Sequence, residues 1–88
     1  MLKRGQHVDI IFWEEFRDFY KFLPWYIDMD YGRKLELFMN YPFNPVLHTH
    51  RLAGKLSNYH SFYLIRGYRV VFRFISYDKV LFYGYWKT

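Results

Sequence analysis

The sequence contains no cysteine, which excludes disulfides, thiol catalysis and cysteine-ligated metal centres. Only three prolines and five glycines occur in 88 residues, and no low-complexity tract or linker divides the chain. No apolar run approaches the roughly 20 residues that a transmembrane helix needs, and the first residues lack the apolar stretch of a signal peptide. We therefore expect one domain, residues 1–88, in a soluble cytoplasmic protein that does not contact a membrane.

Acidic residues are also few. Eight Asp and Glu stand against 13 Lys and Arg, for a formal charge of +5. This balance favours partners that carry phosphates or carboxylates, although it also serves solubility alone. Aromatic residues are abundant by contrast, at 26% of the chain, so we expect an aromatic core.

The first half of the chain predicts one strand and two helices. Val8 to Phe12 is short, apolar and β-branched, as strands are. From Phe12 to Leu23, apolar residues recur at helical spacing, and Pro24 ends this amphipathic helix. A second helix is predicted from about Tyr26 or Asp28 to Asn40, which makes a helical hairpin with the first.

The second half predicts strands. The segment 41–49 contains two prolines and should be an extended connector, and a loop follows around Gly54. Three strands then alternate with the tight turn at residues 66–67 and a polar turn at residues 76–79; they are His60 to Ile65, Tyr68 to Ile75 and Val80 to Tyr85. The predicted fold class is α+β, a small antiparallel sheet of the N-terminal strand and this meander, packed against the helical hairpin.

Alternation along the middle strand assigns its two faces. Tyr68, Val70, Phe72 and Phe74 should meet the helices, which leaves the intervening positions on the other face. Arg69 and Arg73 are predicted to share that second face.

Three stretches together resemble a known family, namely KLELFMNYPFNPVLHTHRLAGKL (34–56), SFYLIRGYRVVFRF (61–74) and DKVLFYGYWKT (78–88). Their order, with a basic Gly loop before a Tyr-Arg-Val-Val-Phe strand, is similar to the RelE/ParE toxin superfamily, in particular to RelE/StbE and YafQ-like messenger-RNA interferases. The resemblance spans about two-thirds of the chain, and the N-terminal third agrees only in pattern.

The resemblance implies the toxin of a type II toxin–antitoxin system, a ribosome-dependent mRNA endoribonuclease that uses no metal and no cofactor. It implies partners as well: a cognate antitoxin that holds the toxin inactive in a hetero-oligomer, the ribosome and mRNA. In such a reaction the substrate 2′-hydroxyl attacks the neighbouring phosphate, and the protein stabilises charge and moves protons.

The resemblance also implies site residues. Arg69 matches the family's sheet arginine, which contacts the scissile phosphate, and His60 falls where relatives place a catalytic lysine. His50 is the third catalytic candidate, because it matches the basic entrance of the Gly loop. The RNA-binding or phosphate-binding candidates are Arg51, Lys55, Arg73, Lys87 and Tyr85.

Two departures keep alternatives open. Phe62 stands where a second strand lysine is common, and active relatives carry a His or Arg followed by a Tyr after the last strand. Here Thr88 occupies that His or Arg position, so attenuated activity is expected. The alternatives are a ParE-like inhibitor of DNA gyrase, which needs no nuclease residues, and an inactive toxin that only binds antitoxin.

Other side chains admit two interpretations. His48, His50 and His60 have spacing that imitates metal ligands, but without cysteine or paired carboxylates nearby we predict no metal site. One or two of five aromatic residues are predicted to stack RNA bases while the others fill the core; they are Tyr59, Tyr63, Tyr83, Tyr85 and Trp86.

Overall fold

The computed structural model describes residues 7–87, except for the side chains of Arg17, Phe19 and Tyr20. Two helices and five strands form two layers, with the strands in the order β1-β5-β4-β3-β2. The elements are β1 (Asp9–Phe12), α1 (Phe16–Lys21), α2 (Trp25–Asn40), β2 (His50–Arg51), β3 (His60–Tyr63), β4 (Tyr68–Ser76) and β5 (Lys79–Lys87).

The predicted α+β fold, with helices on one face of a small sheet, is confirmed. The sheet is mixed rather than wholly antiparallel, because β1 runs parallel to β5, with Asp9 opposite Lys79. The meander β3-β4-β5 is antiparallel as predicted. The short strand β2, which the sequence analysis did not predict, pairs with β3 and completes the sheet.

The first helix is shorter than predicted. It begins at Phe16 rather than Phe12, because Phe12 belongs to β1 and lies opposite Phe82 in the sheet. The backbone N–H of Trp13 also donates to the carbonyl of Phe82, at 2.8 Å, which keeps this residue at the sheet edge. The predicted apolar positions 19 and 20 lie outside the described side chains, as Thr88 lies outside the described chain.

The core consists largely of phenylalanine rings between α2 and the sheet. Phe38 of α2 lies 5.1 Å from Phe62, 4.8 Å from Phe72 and 5.2 Å from Phe82, measured between ring centroids. All four side chains are fully buried. Each contributes about 1.5–3 kcal/mol by leaving water, so this cluster fixes the sheet against α2.

A buried carboxylate connects α2 to the turn between β3 and β4. Asp30 accepts a hydrogen bond from the backbone N–H of Ile65 at 2.8 Å and pairs with Lys34 at 3.0 Å. Both charged side chains are buried, whereas Arg33, which pairs with the other oxygen of Asp30, is exposed. The connection therefore holds the turn in place through a charge pair with little access to water.

That turn is longer than predicted. It comprises the three residues Ile65–Gly67, and the N–H of Leu64 donates to the carbonyl of Tyr68 at 2.7 Å. Arg66 and Gly67 both have positive φ, 61° and 78°. Glycine suits position 67 because it has no Cβ and adopts this backbone conformation without strain. Within residues 7–87, no helix is long and apolar enough to cross a membrane.

Candidate functional site

A row of small side chains crosses the sheet on the face away from the helices. Ser61 of β3 lies opposite Val71 of β4, which in turn lies opposite Gly84 of β5. His50 of β2 extends the row beyond Ser61. Since directly opposed residues point to the same face, the three small residues form a low floor between larger neighbours.

Two adjoining cavities occupy this floor, and together we call them the sheet groove. The arginine cavity is lined by His50, Leu52, Ser61, Arg69, Val71 and Trp86. The aromatic cavity is lined by Leu56, Tyr59, Val71, Tyr83, Gly84, Tyr85 and Trp86. Val71 and Trp86 belong to both linings, so the two cavities are continuous parts of one surface.

Arg69 is the cation of the sheet groove. It is half-buried on β4, and its Nη1 donates a long hydrogen bond, 3.5 Å, to Oγ of fully buried Ser61. All eight Asp and Glu side chains lie in the described part of the chain, and none of them forms an ion pair with Arg69. Most of the five N–H donors of the guanidinium are therefore available to an anion.

His50 lines the same cavity with a defined tautomer. Its Nδ1 lies 3.1 Å from the backbone carbonyl of His48, which can only accept a hydrogen bond. Nδ1 must therefore carry the proton, and in the neutral ring Nε2 keeps its lone pair. His50 is exposed, so Nε2 is available as a proton acceptor at the groove.

His60, predicted as catalytic, does not join this site. It lies opposite Phe72 and therefore on the helix-facing side of the sheet, where its ring contacts Phe43, Phe72 and Phe74. Burial among these rings lowers the pKa of His60 below 6.5, and the charges of Arg51 and His50 lower it further. We therefore omit His60 from the candidate site.

Tyr85, predicted to bind RNA, borders the aromatic cavity, but its ring makes its contacts in the core, and Lys87 is also directed elsewhere. A β-bulge at Tyr83 shifts the register of β5, so Tyr85 lies opposite Val70 and its ring packs on Phe16, 4.8 Å away. Lys87 lies at the strand end, with Nζ 5.5 Å from the ring centroid of Tyr68. The same bulge brings Trp86 opposite Arg69.

The other three cationic candidates lie at different positions relative to the groove. Arg73 is exposed on the same strand and face as Arg69. Lys55 is exposed in the short helical turn Gly54–Leu56, and the last residue of that turn, Leu56, lines the aromatic cavity. Gly54 in this turn has φ of 66°, a conformation that favours glycine. Arg51 lies opposite His60, at the sheet edge and away from the groove floor.

Sequence patterns alone did not single out two residues of the groove. Ser61 was not a candidate, and Trp86 was one of five possible stacking residues. Of the other four, Tyr59, Tyr83 and Tyr85 line the aromatic cavity, although the ring of Tyr85 packs on Phe16. The ring of Tyr63 instead contacts His48 and Lys34. The register of the sheet, which brings Trp86 beside Arg69, was the missing information.

The three histidines do not form a metal site. His50 and His60 lie on opposite faces of the sheet, and His48 contacts the ring of Tyr63. Across the part of the chain that the structure describes, no group of three His, Asp or Glu side chains is placed to hold an ion.

No protein-family model and no curated protein matches the chain. Solved structures do match it. The crystal structure of YafQ from E. coli strain BL21(DE3) superposes with a TM-score of 0.71 at 15% identity, covering 92% of this chain and 93% of that one. A copper-bound mutant toxin from Helicobacter pylori superposes with a TM-score of 0.63 at 13% identity, covering 91% and 93%.

The solution structure of HP0894, a conserved hypothetical protein from H. pylori, is similar over 89% of this chain and 91% of its own, with a TM-score of 0.60 at 13% identity. These likenesses extend over almost the whole chain, so they include the helix layer as well as the sheet. The chain therefore has the RelE-like toxin fold that YafQ also has.

Proposed function

We propose that the protein is the toxin of a type II toxin–antitoxin system and cleaves messenger RNA at the ribosome without a metal ion. The observation that carries this proposal is the half-buried guanidinium of Arg69, which faces an open groove and has no carboxylate partner. An arginine held in this way suits a phosphate, because its donors are oriented and its charge is not neutralised. The RelE-like fold supports the same proposal.

In the proposed reaction, the 2′-oxygen of the RNA forms a bond to the neighbouring phosphorus, and the bond from phosphorus to the 5′-oxygen breaks. The products are a 2′,3′-cyclic phosphate and a 5′-hydroxyl. Nε2 of His50 takes the proton from the attacking 2′-hydroxyl, while Arg69 stabilises the charge that develops on the phosphoryl oxygens. The leaving 5′-oxygen takes its proton from water, and the hydroxide that remains takes the proton held by His50, which returns the imidazole to its neutral form.

The test is induced expression in a bacterial host, followed by growth and by primer extension on translated messages. Wild-type protein is expected to arrest growth and to produce new 5′ ends within coding regions. Arg69→Ala is expected to reduce cleavage by about 100-fold or more, as loss of a charge-stabilising donor does.

Lys79→Ala is the matched control, because it also removes one positive charge from a strand, but Lys79 is exposed and lies outside both groove linings. It is expected to arrest growth like the wild type at equal expression. Arrest by Arg69→Ala that is as strong as wild-type arrest would contradict the assigned role of Arg69.

A second candidate function is ParE-like inhibition of DNA gyrase. The displacement of His60 and Tyr85 to the helix-facing side favours it, because the groove then holds one arginine and one imidazole rather than a larger catalytic set. A toxin that blocks a protein target needs no such set. Inhibition of supercoiling by purified protein, with intact messages in the growth experiment, would select this function over the nuclease.

We also propose a cognate antitoxin as partner in a hetero-oligomer, with mRNA and the ribosome as targets in the cytoplasm. Beside the fold, the support is a set of large apolar side chains exposed on the helix layer, with 85% of Phe22, 72% of Trp25 and 62% of Met29 accessible. Apolar exposure of this kind is typical of surfaces that a partner covers. Growth arrest that is relieved by co-expression of a protein that co-purifies with this chain would support this partner.

A further inference from the structure

The helix α2 has two faces of different character. The side chains of Ile27, Tyr31 and Phe38 are buried in the core. On the opposite face, four exposed positions follow one another at spacings of four, three and four residues; we call them the α2 stripe, and they are Trp25, Met29, Gly32 and Glu36. This is the heptad spacing by which one helix packs lengthwise against another.

Gly32 lies near the middle of α2, where glycine disfavours the helix more than any residue except proline. Among the residues that the structure describes, a Cβ atom at this position would meet no neighbouring atom within 4 Å, so packing inside the chain does not require glycine here. The missing side chain leaves the backbone open to the close approach of another helix. Contact with a second helix therefore explains a glycine that the single chain does not.

Two charged residues of opposite sign flank the stripe. Asp28 precedes Met29 and Arg33 follows Gly32, so they occupy heptad positions g and e, on opposite sides of the seam. When two copies of one helix pack in parallel, position g of each helix lies beside position e of the other, and such positions form ion pairs between helices. The α2 stripe is therefore complementary in charge to a copy of itself.

Arg33 retains hydrogen-bond donors for such an ion pair. Its side chain is 75% exposed, and its Nη2 lies 3.3 Å from Oδ1 of Asp30. The charge of Asp30 is already paired with Lys34, at 3.0 Å. Since a guanidinium has five N–H donors, Arg33 can bind a second carboxylate.

We propose that the free protein forms a symmetric dimer in which the α2 helices of two copies pack in parallel along the stripe. The two Gly32 residues lie at the point of closest approach, Trp25 and Met29 pack against their counterparts, and each Asp28 pairs with Arg33 of the other copy. The two Glu36 carboxylates lie at one end of the seam and repel each other, so the association is reversible.

This dimer does not rest on the proposed function. It leaves both sheet grooves open, because the groove lies on the face of the sheet away from the helices. The antitoxin proposed above contacts the same exposed Trp25 and Met29, so it would displace the second copy when it binds.

Sedimentation equilibrium of the purified full chain, from about 1 to about 200 μM, measures the association. The average mass is expected to rise with concentration from the 11.1 kDa of one chain toward twice that value, and no further. A mass that stays at one chain throughout, or that passes beyond two chains, would overturn the dimer.

Met29→Lys locates the interface, because it places a charge in the stripe and should leave a monomer over the whole concentration range. Ile75→Lys is the matched control: Ile75 is exposed to a similar extent, 52% against 62% for Met29, but lies on β4, in the other layer. Circular dichroism checks that both variants are folded. Ile75→Lys should dimerise like the wild type, and unchanged dimerisation of folded Met29→Lys would rule out the stripe as the interface.

Exchange of the two flanking charges tests the parallel arrangement. Arg33→Glu sets like charges beside each other and should weaken the association by about tenfold or more. The double variant Asp28→Arg, Arg33→Glu again has opposite charges across the seam, so its affinity should return to within about threefold of the wild type. A double variant that associates as weakly as Arg33→Glu would overturn the pairing of Asp28 with Arg33.

Discussion

The ring of His60 is held among the side chains of Phe43, Phe72 and Phe74, and this surrounding determines how its charge affects stability. Burial lowers its pKa in the folded protein, with further contributions from Arg51 and His50. Below pH about 6.5 the unfolded chain therefore takes up a proton that the folded chain resists. The free energy of unfolding is expected to fall as the pH drops below about 6.5.

His60→Phe should weaken that pH dependence. The substitution keeps an aromatic ring in the cluster but removes the titrating group, so the stability lost between about pH 7.5 and about pH 5.5 should be smaller than in the wild type. Urea unfolding at the two pH values measures the difference. His7→Phe, which removes an exposed histidine, is the control and should behave like the wild type. An unchanged slope in His60→Phe would contradict this account.

Asp30 of α2 connects this helix to the hairpin of β3 and β4, so its substitution should weaken the packing of the helix on the hairpin. Asp30→Asn leaves the ammonium of Lys34 buried without its charge partner. Loss of one partner from a buried pair costs about 3 kcal/mol or more, so this variant should be strongly destabilised. Denaturant unfolding monitored by circular dichroism measures the loss.

Asp28→Asn on the same helix is the matched control. Asp28 is half-exposed, forms none of the ion pairs seen in residues 7–87, and lies in the first turn of α2. Its substitution should cost less than about 1 kcal/mol. In the double variant Asp30→Asn, Lys34→Met the loss should be smaller than the sum of the two single losses. A cost for Asp30→Asn as small as that for Asp28→Asn would refute the proposed connection.

Two hairpin details explain which predicted site residues lie on the groove face and which do not. Alternation correctly placed Arg69 away from the helices, because it depends only on the strand itself. The face of His60 depends on the turn, and a two-residue turn at Arg66 and Gly67 would pair His60 with Arg73. The actual three-residue turn pairs it with Phe72, and a slip of one residue reverses the face.

The β-bulge in β5 has the same effect at the other edge of the groove. Without the extra residue Tyr83, Tyr85 would lie opposite Arg69, as its predicted RNA contact requires. With the bulge, Trp86 takes that place and Tyr85 enters the core. Four of the five strands, the two helices and the fold class were predictable from periodicity. The two-residue strand β2, the register and the pairing of β1 with β5 depend on contacts between distant segments.

The whole molecule carries its net charge unevenly. Five Lys and Arg residues lie between positions 37 and 77, where no acidic residue occurs, and the remaining eight balance the eight Asp and Glu residues. The charge of +5 is therefore concentrated in the segment that builds most of the sheet groove. Binding of RNA should accordingly weaken steeply as salt increases.

Arg73→Ala tests this distribution. The affinity of the purified protein for fluorescein-labelled hexaadenylate RNA is measured by fluorescence anisotropy at several salt concentrations. The slope of log affinity against log salt concentration should become shallower by about 0.7 in the variant, which is the value for one phosphate contact to a single strand. Lys21→Ala removes a charge from α1, where Lys21 pairs with Asp18, and should leave the slope unchanged. Equal slopes for wild type and Arg73→Ala would show that this arginine contacts no phosphate.

The parallel pairing of β1 with β5 also bears on when the protein acquires its surface. The sheet cannot be completed until β5 has left the ribosome that makes it, because β5 lies between β1 and β4. Trp86 and Gly84, which form one wall and part of the floor of the groove, belong to that same late strand. A nascent chain thus has no finished groove until β5 has emerged, whichever of its earlier elements have already folded.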